Sequence, residues 1–331
     1  MPIALLTGGT GFVGGHVAKT LCAEGWTVRV LARDAARARG ALLSGLPIEV
    51  VSGDLSENAA LARAAAGADA IVHAAGLVKA RTLEDYREVN QRGTQRLVAA
   101  ASESAPGAIF VHLSSQAAAG PAIGGRPVTE SDPPRPVSWY GVSKREGEIA
   151  VTESWPGPWI ILRPGVIFGP GDRGVFLYFR MAASGWIPLP AGETRVEIMG
   201  AEQAALAIAR AASRRDLAGR TGFLCDAEPV RLADLAAMIA ALPPRRARVI
   251  RIPDVAVRLL GRVESLRETI TGRSRPFNAD KAREILAGDW LCDGAPMREA
   301  LRLPAPRPLP ERLRAAWDWY LQAGWLPGAA L

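Results

Sequence analysis

Apolar residues recur along the chain in two rhythms: short continuous runs, and longer stretches in which they return every three or four positions. The short runs, Ile3 to Leu6, Thr27 to Leu31, Ile48 to Val51, Ala70 to Gly76, Ala108 to Leu113 and Trp159 to Leu162, predict six strands. They lack the apolar-polar alternation of a sheet with one wet face, so they read as parallel strands covered on both sides. The helical rhythm follows the first strand at Val13, Val17 and Leu21, returns from Tyr86 to Ala101, and again from Trp139 to about Glu153. Strand and helix alternate, which is the pattern of an α/β fold built on a parallel sheet.

Chemistry enters at the turn between the first strand and the first helix, Thr7-Gly8-Gly9-Thr10-Gly11-Phe12-Val13-Gly14. Gly8, Gly11 and Gly14 let the backbone turn tightly and approach an anion with no Cβ in the way, while the helix that opens with Phe12 and Val13 points unpaired N–H groups at it. The octet also satisfies G-x-G-x-x-G through Gly9, Gly11 and Gly14, in the strand-turn-helix context that pyrophosphate binding requires. The expected architecture is a Rossmann doubly wound parallel sheet with helices on both faces and a smaller mixed α/β C-terminal substrate lobe. Residues 1–170 form the dinucleotide-binding domain, which also receives elements from about 196–225, and residues 171–331 form most of the substrate lobe.

The second strand ends in Ala32 and Arg33, where an NAD site has an acid for the ribose hydroxyls and an NADP site has Arg. This favours NADP(H) and leaves NAD(H) open. The competing reading of Arg33 is a solvated charge before Asp34, which can start a helix carrying Arg37 and Arg39. After the third strand, Asp54, followed by Leu55, is placed either to accept from the adenine amino group or to serve a plain turn. Ala74, Ala75 and Gly76 are small where a flat cofactor lies close to backbone. His73 reads as a packed, hydrogen-bonded core histidine, and the following helix brings Asn90 and Gly93 toward the cofactor side.

The fifth strand ends in Ser114-Ser115, and a Pro- and Gly-rich connection from Gly120 to Val137 leads to a helix carrying Tyr140 and Lys144, four apart and so on one face. Reducing a carbonyl needs a hydride donor on one side and a proton donor at the oxygen, and a phenol serves better when a cation lowers its pKa. Lys144 is expected to be that cation.

With the glycine turn, Ser115 and Tyr140-x-x-x-Lys144 in this order, residues 1 to about 210 resemble the extended short-chain dehydrogenase/reductase family. The resemblance implies that Ser115 holds the substrate oxygen, Tyr140 donates the proton and Lys144 also bonds the nicotinamide ribose. It further places Pro164, after the strand-six Arg163, beside the cofactor. Dehydratase members carry an acid pair beside the serine, where this chain has Gln116 and Ala117. Nucleotide-sugar epimerases carry Phe-Asn after the strand-six Arg, where this chain has Pro164-Gly165. The Arg-Pro form is similar to the branch of dihydroflavonol reductases, hydroxysteroid dehydrogenases and ceramide-type ketone reductases, which implies a bulky apolar ketone or alcohol as substrate, a keto-ceramide or sterol among them. A nucleotide-sugar epimerase and a non-catalytic dinucleotide-binding subunit remain the alternatives, although such subunits usually lose the Tyr or the Lys that this chain keeps.

Composition narrows the rest. The 331 residues, 49% hydrophobic and 22% charged, describe an ordinary globular protein, and the net charge of +7 suits an anionic partner: a phosphorylated cofactor, a membrane surface or nucleic acid. No basic block interleaved with aromatics favours nucleic acid. Cys22, Cys225 and Cys292 lack metal or C-x-x-C spacing, so free thiols in a reducing compartment and no metal are expected. With no leader and no apolar run near 18 residues, the expectation is a cytoplasmic monomer or homodimer. Aromatic and aliphatic residues from Phe176 to Ile187 read as lobe core or as an apolar substrate pocket. A final helix, about Pro310 to Ala323, mixes Arg312 and Arg314 with Trp317, Trp319 and Tyr320. It reads either as a cap on the lobe or as a peripheral contact with the inner face of a membrane.

Overall fold

Each of the six apolar runs forms a strand: β1 (Ile3–Thr7), β2 (Thr27–Ala32), β3 (Ile48–Ser52), β4 (Ala70–His73), β5 (Ile109–Leu113) and β6 (Trp159–Pro164). The structure, a computed structural model, describes residues 1–34, 43–226 and 228–326. Arg37 and Arg39, with the helix expected to carry them, lie outside the described residues. Seven further strands follow: β7 (Val166–Phe168), β8 (Trp186–Pro190), β9 (Arg195–Val196), β10 (Ile198–Gly200), β11 (Arg220–Leu224), β12 (Val230–Arg231) and β13 (Arg248–Ile252).

The main sheet has seven parallel strands in the order β11-β6-β5-β4-β1-β2-β3. Alternate residues point to opposite faces, and both faces are covered. Leu5, Ile71 and Phe110 pack with Leu61, Leu97 and Val151 of the helices α2 (Asn58–Ala65), α4 (Gly93–Ser104) and α6 (Trp139–Ser154). Leu6, Val72 and Val111 pack with Val17 and Leu21 of α1 (Phe12–Ala23) and with Ala204 and Ile208 of α8 (Ala201–Ala211). This is why the strands read as uninterrupted apolar runs. The strand order reverses between β1 and β4, so the crevice for a ligand opens outside the C-terminal ends of those two strands.

Two details differ from the sequence pattern. The fourth strand stops at His73 instead of Gly76, because the backbone of Ala74 and Ala75 swings against Gly8. The helix predicted from Tyr86 to Ala101 is α3 (Leu83–Arg87) running through a π-turn at Glu88–Arg92 into α4. Thr82 opens it with a capping box to Asp85.

The remaining lobe has its own core, in which Phe179 of α7 (Phe176–Ala183), Ile187, Leu189, Leu235 and Ile239 of α9 (Leu232–Ala240), and Leu313, Trp317 and Tyr320 meet. Three two-stranded pieces frame it: β7 with β10, β9 with β12, and β8 with β13. Phe179 and Ile187 of the cluster from Phe176 are therefore core, with the Phe179 and Tyr320 rings 5.1 Å apart, while Phe176, Tyr178 and Met181 pack partly buried against it and Trp186 is half exposed. The C-terminal helix (Leu309–Gln322) buries Trp317 and Tyr320, and the Tyr320 hydroxyl donates to the carbonyl oxygens of Gly169 and Asp172 at 3.1 and 3.2 Å. These rings face the protein interior. No helix among the described residues is long and apolar enough to cross a membrane.

Candidate active site

The glycine turn closes on itself, with the Gly11 N–H donating to the Gly8 carbonyl oxygen at 2.9 Å. Gly8 has a positive φ of 73°, and a Cβ there would lie 2.6 Å from the Ala75 nitrogen. A Cβ on Gly14 would lie 2.1 Å from the Gly8 carbonyl oxygen, so α1 can approach the turn only through glycine. Gly11 caps α1 without a side-chain bond, and the first turn, with Phe12 and Val13, holds no acid. The helix N-terminus is thus open to an anion, which fits the pyrophosphate of a dinucleotide. Gly14→Ala should displace the turn, at a cost of about 1–3 kcal/mol as for overpacking elsewhere. The checkable result is loss of the upward Tm shift that the wild-type chain shows on adding dinucleotide.

Around this cradle the strand ends bring the sequence-singled residues to one edge of the sheet. Arg33 lies exposed at the end of β2, and its charge reaches Asp54 beyond β3. Asp54 Oδ1 accepts from the Ser56 N–H at 2.7 Å and the Ser56 hydroxyl at 2.6 Å, which with Arg33 and Arg96 keeps this carboxyl below its usual range. It forms a local turn, the plainer of its two readings. Leu55 packs into the space that Gly93 leaves, where a Cβ would meet it at 2.9 Å. Pro164 is buried at the end of β6, paired in register with Leu224.

A buried hydrogen-bond chain supports the small residues Ala74, Ala75 and Gly76. The Ala75 N–H donates to Thr7 Oγ1 at 3.3 Å, and Thr7 Oγ1 is 2.7 Å from His73 Nδ1. His73 Nε2 is 2.9 Å from Thr94 Oγ1, whose proton goes to the Asn90 carbonyl oxygen at 2.7 Å. Only a neutral His73 with its proton on Nε2 satisfies every member, and burial, with Lys144 adding to it, lowers its pKa to about 3. The structural reading of His73 therefore fits its surroundings. Asn90, inside the π-turn, accepts from the Leu77 N–H at 2.7 Å and donates to the Leu77 carbonyl and to Ser143 Oγ. It clamps the loop after β4 to α6, with its Oδ1 3.1 Å from where a Cβ of Gly76 would stand.

Ser115, Tyr140 and Lys144 come together beside this loop. Ser115 caps the short helix α5 (Gln116–Ala119), its Oγ accepting from the Ala117 N–H at 3.1 Å. Gly141 lets α6 ride directly on α5, since a Cβ there would lie 2.3 Å from the Ala117 carbonyl oxygen. That contact holds Tyr140 next to Ser115. The phenol is pushed up to about 12 by burial, with a Ser115 hydrogen bond acting downward and Glu284 acting upward. This corrects the expectation that Lys144 lowers it. The Lys144 ammonium is buried, donates to the Leu113 carbonyl oxygen at 2.7 Å, and is itself lowered to about 8 by burial against the attraction of Glu148.

Two supporting carboxylates escape the sequence pattern. Glu148, one turn beyond Lys144, is fully buried and accepts a bidentate pair from Arg163 at 2.7 and 2.7 Å and the Ser114 hydroxyl at 2.6 Å. Burial alone would raise its pKa, and Arg163 and Ser114 bring the net shift downward. Asp280, in helix α11 (Ala279–Ile285; α10 precedes it at Asp254–Thr271), accepts from the Trp139 N–H at 3.0 Å, and the Tyr140 N–H also bonds it. It closes the N-terminus of the helix that carries Tyr140, together with the Ser138 cap. Gly, Ser and Lys spacing predicts none of this. The signal for Glu148 is its i+4 spacing from Lys144, with an Arg ending β6. Among the described residues no group of His, Cys, Asp and Glu is arranged to hold a metal ion.

Residues 4–220 match the model of the NAD dependent epimerase/dehydratase family. Over 98% of its length the chain is 35% identical to a ceramide reductase of Caulobacter vibrioides, covering 96% of that protein. It is 27% identical, over 85% of this chain and 90% of the other, to a 4-hydroxy-2-methyl-3-oxo-4-farnesyl-3,4-dihydroquinoline-1-oxide ketoreductase of Stigmatella aurantiaca. A dTDP-glucose 4,6-dehydratase from Streptomyces venezuelae, solved with NAD bound, superposes with a TM-score of 0.78 at 21% identity, over 98% of each chain. That likeness concerns the fold.

Proposed function

We propose that this chain, which belongs to the NAD dependent epimerase/dehydratase family, reduces the ketone of a bulky apolar substrate to an alcohol, a lipid ketone such as a keto-ceramide or sterol, with NADP(H) as donor. The chain is an NAD(P)-dependent oxidoreductase. The observation that carries the ketone reading is the meeting of Ser115, Tyr140 and Lys144 at the C-terminal edge of the sheet, beside the glycine cradle. The two relatives named for ketone reductions or ceramide reduction support it.

The dinucleotide supplies a hydride when bound. Gly8, Gly11, Phe12, Val13 and Gly14 would hold its pyrophosphate, Asp54 and Leu55 would flank the adenine, and Ala74 to Gly76 would lie along it, with Pro164 at the nicotinamide side. Ser115 Oγ, already in hydrogen-bond contact with Tyr140, holds the substrate carbonyl oxygen at the phenol. Tyr140 donates its proton to that oxygen as charge develops there. Lys144, which in this arrangement bonds the Leu113 carbonyl, holds the positive charge beside the reacting groups and would hold the nicotinamide ribose of a bound dinucleotide.

Sugar-nucleotide chemistry fits the site less well. A Cβ at Gly165 would lie 2.6 Å from the Glu197 carbonyl oxygen, so the Asn that epimerases place there has no room. Oxidation of the cofactor should be measured with long-chain keto-lipids, small ketones and sugar nucleotides. Turnover of keto-lipids is expected, and turnover confined to sugar nucleotides would overturn the reading.

The preference for NADP(H) rests on Arg33 following Ala32 where an acid would serve NAD. Arg33→Ala should weaken NADPH by about 1.5–3 kcal/mol, the worth of charge-assisted bonds to a phosphate, and leave NADH nearly unchanged. Equal affinity of the wild-type chain for both cofactors would contradict it.

A further inference from the structure

We propose that the outer face of α10 is a docking surface for an anionic lipid bilayer. A surface helix ordinarily turns its apolar stripe to the core and its polar face to water. Here the order is reversed. Val255, Leu259, Val263, Leu266 and Ile270 recur at helical spacing and form one stripe, and it is exposed: Val255 is 72%, Leu259 60%, Leu266 62% and Ile270 74% accessible. The buried positions are Val257, Gly261 and Glu268, on the opposite side. The strand that leads into this helix, β13, adds exposed Val249 and Ile250, and Trp186, its register partner at Arg248, is half exposed. An exposed apolar stripe of this length along one helix marks an interaction site.

Charge selects the partner. Arg258 and Arg262 flank the stripe on one side and Arg267 on the other, and Arg245, Arg246 and Arg248 stand exposed in the segment of chain that precedes the helix. None of Arg258, Arg262, Arg245, Arg246 and Arg248 has an acidic partner among the described residues. Two of the acids on the helix are otherwise engaged: Glu264 pairs with Arg267 and Arg275, and Glu268 is buried, accepting from the Arg275 N–H, while Asp254 sits in the first turn with its Oδ1 buried. A second copy of this face would set arginines against arginines. Anionic headgroups satisfy the arginines while the acyl boundary takes the apolar stripe. The C-terminal helix, with Trp317 and Tyr320 turned inward, offers no such face.

The position also suits the site. Gly261 seats α10 on α11, where a Cβ would meet Ala282 at 2.8 Å and the Asn278 carbonyl oxygen at 3.0 Å. α11 in turn carries Asp280 to the N-terminus of the helix bearing Tyr140. At the far end of α10, Gly272 faces the Arg81 guanidinium, in the loop that Asn90 clamps at Leu77. The inference deepens the lipid-ketone reading by naming the surface from which such a substrate is reached. It rests on that reading for its purpose and on the helix alone for its existence.

The test is co-sedimentation of the full chain with vesicles of phosphatidylcholine and phosphatidylglycerol, two parts to one, without any turnover assay. Wild-type chain should bind these vesicles, and both Leu259→Glu/Leu266→Glu and Arg258→Glu/Arg262→Glu should weaken binding roughly tenfold or more. Because these side chains are exposed, dinucleotide binding by each variant should match wild type, which certifies the fold. Failure of wild-type chain to bind, or undiminished binding by the leucine variant, would overturn the proposal. So would light scattering that shows a wild-type dimer and a monomeric leucine variant with no vesicle binding by either. A negative keto-lipid panel with positive vesicle binding would instead remove the substrate reading and keep the docking surface.

Discussion

Tyr140→Phe should lower kcat for ketone reduction roughly 10²-fold or more, close to 2.7 kcal/mol of barrier, while dinucleotide affinity stays at the wild-type level. The substitution keeps the ring, which packs 6.0 Å from that of Tyr86, and removes only the proton donor and its bond to Ser115. The pH profile separates this role from a packing role. Tyr140, raised to about 12, remains a protonated donor through the working range, whereas Lys144, lowered to about 8, loses its positive charge as pH rises past that value. Reduction by wild-type enzyme should therefore fall above about pH 8. In Lys144→Arg the charge persists, so whatever activity remains should not show that fall. Unchanged turnover by Tyr140→Phe, or a limb at pH 8 that survives in Lys144→Arg, would remove these residues from the proposed roles.

What was legible in the sequence is what depends on local pattern. The six apolar runs are buried on both faces, so hydrophobicity alone marked β1 to β6, and the glycine turn shows in its own spacing, although the Ala74–Ala75 backbone that Gly8 makes room for is remote in sequence. Tyr140 and Lys144 share a face by helical spacing. β11 escaped because it begins with Arg220 and Thr221 and contains Gly222, which breaks an apolar run. The glycine is there for packing, since a Cβ would meet Met297 at 2.3 Å. Asp280 escaped because its partner, the Trp139 N–H, is 141 residues away, and locally Asn278-Ala279-Asp280 reads as the start of its own helix. The exposed stripe of α10 escaped for a different reason. Its apolar residues carry the same period whether they face core or water, and only tertiary packing tells which.

Arg163→Ala should destabilise the chain by about 3–5 kcal/mol at pH 8, the range for removing one member of a buried ion pair. The loss comes less from the missing attraction than from Glu148, left as a buried carboxylate with the Ser114 hydroxyl and the half-exposed Arg145 as its remaining partners. In the wild-type chain the Glu148 carboxyl is held below its ordinary value of 4.5. The unfolded chain therefore takes up a proton first as pH falls, and this contribution is present above that value and lost below it. In Arg163→Ala, burial prevails and the carboxyl shifts upward, so the folded variant takes up the proton first and its stability relative to wild type should improve as pH falls from 8 toward 5. Replacing both partners, Arg163→Met with Glu148→Met, should restore most of the stability at pH 8, because no charge is left buried. Urea unfolding at the two pH values measures all three. A deficit in Arg163→Ala that does not shrink at the lower pH would show that the buried carboxylate is not its cause. Because the pair joins β6 to the helix that carries Tyr140 and Lys144, and Ser114 precedes Ser115, the double variant is expected to fold yet reduce ketones more slowly. The ion pair would then serve chiefly to position those three groups.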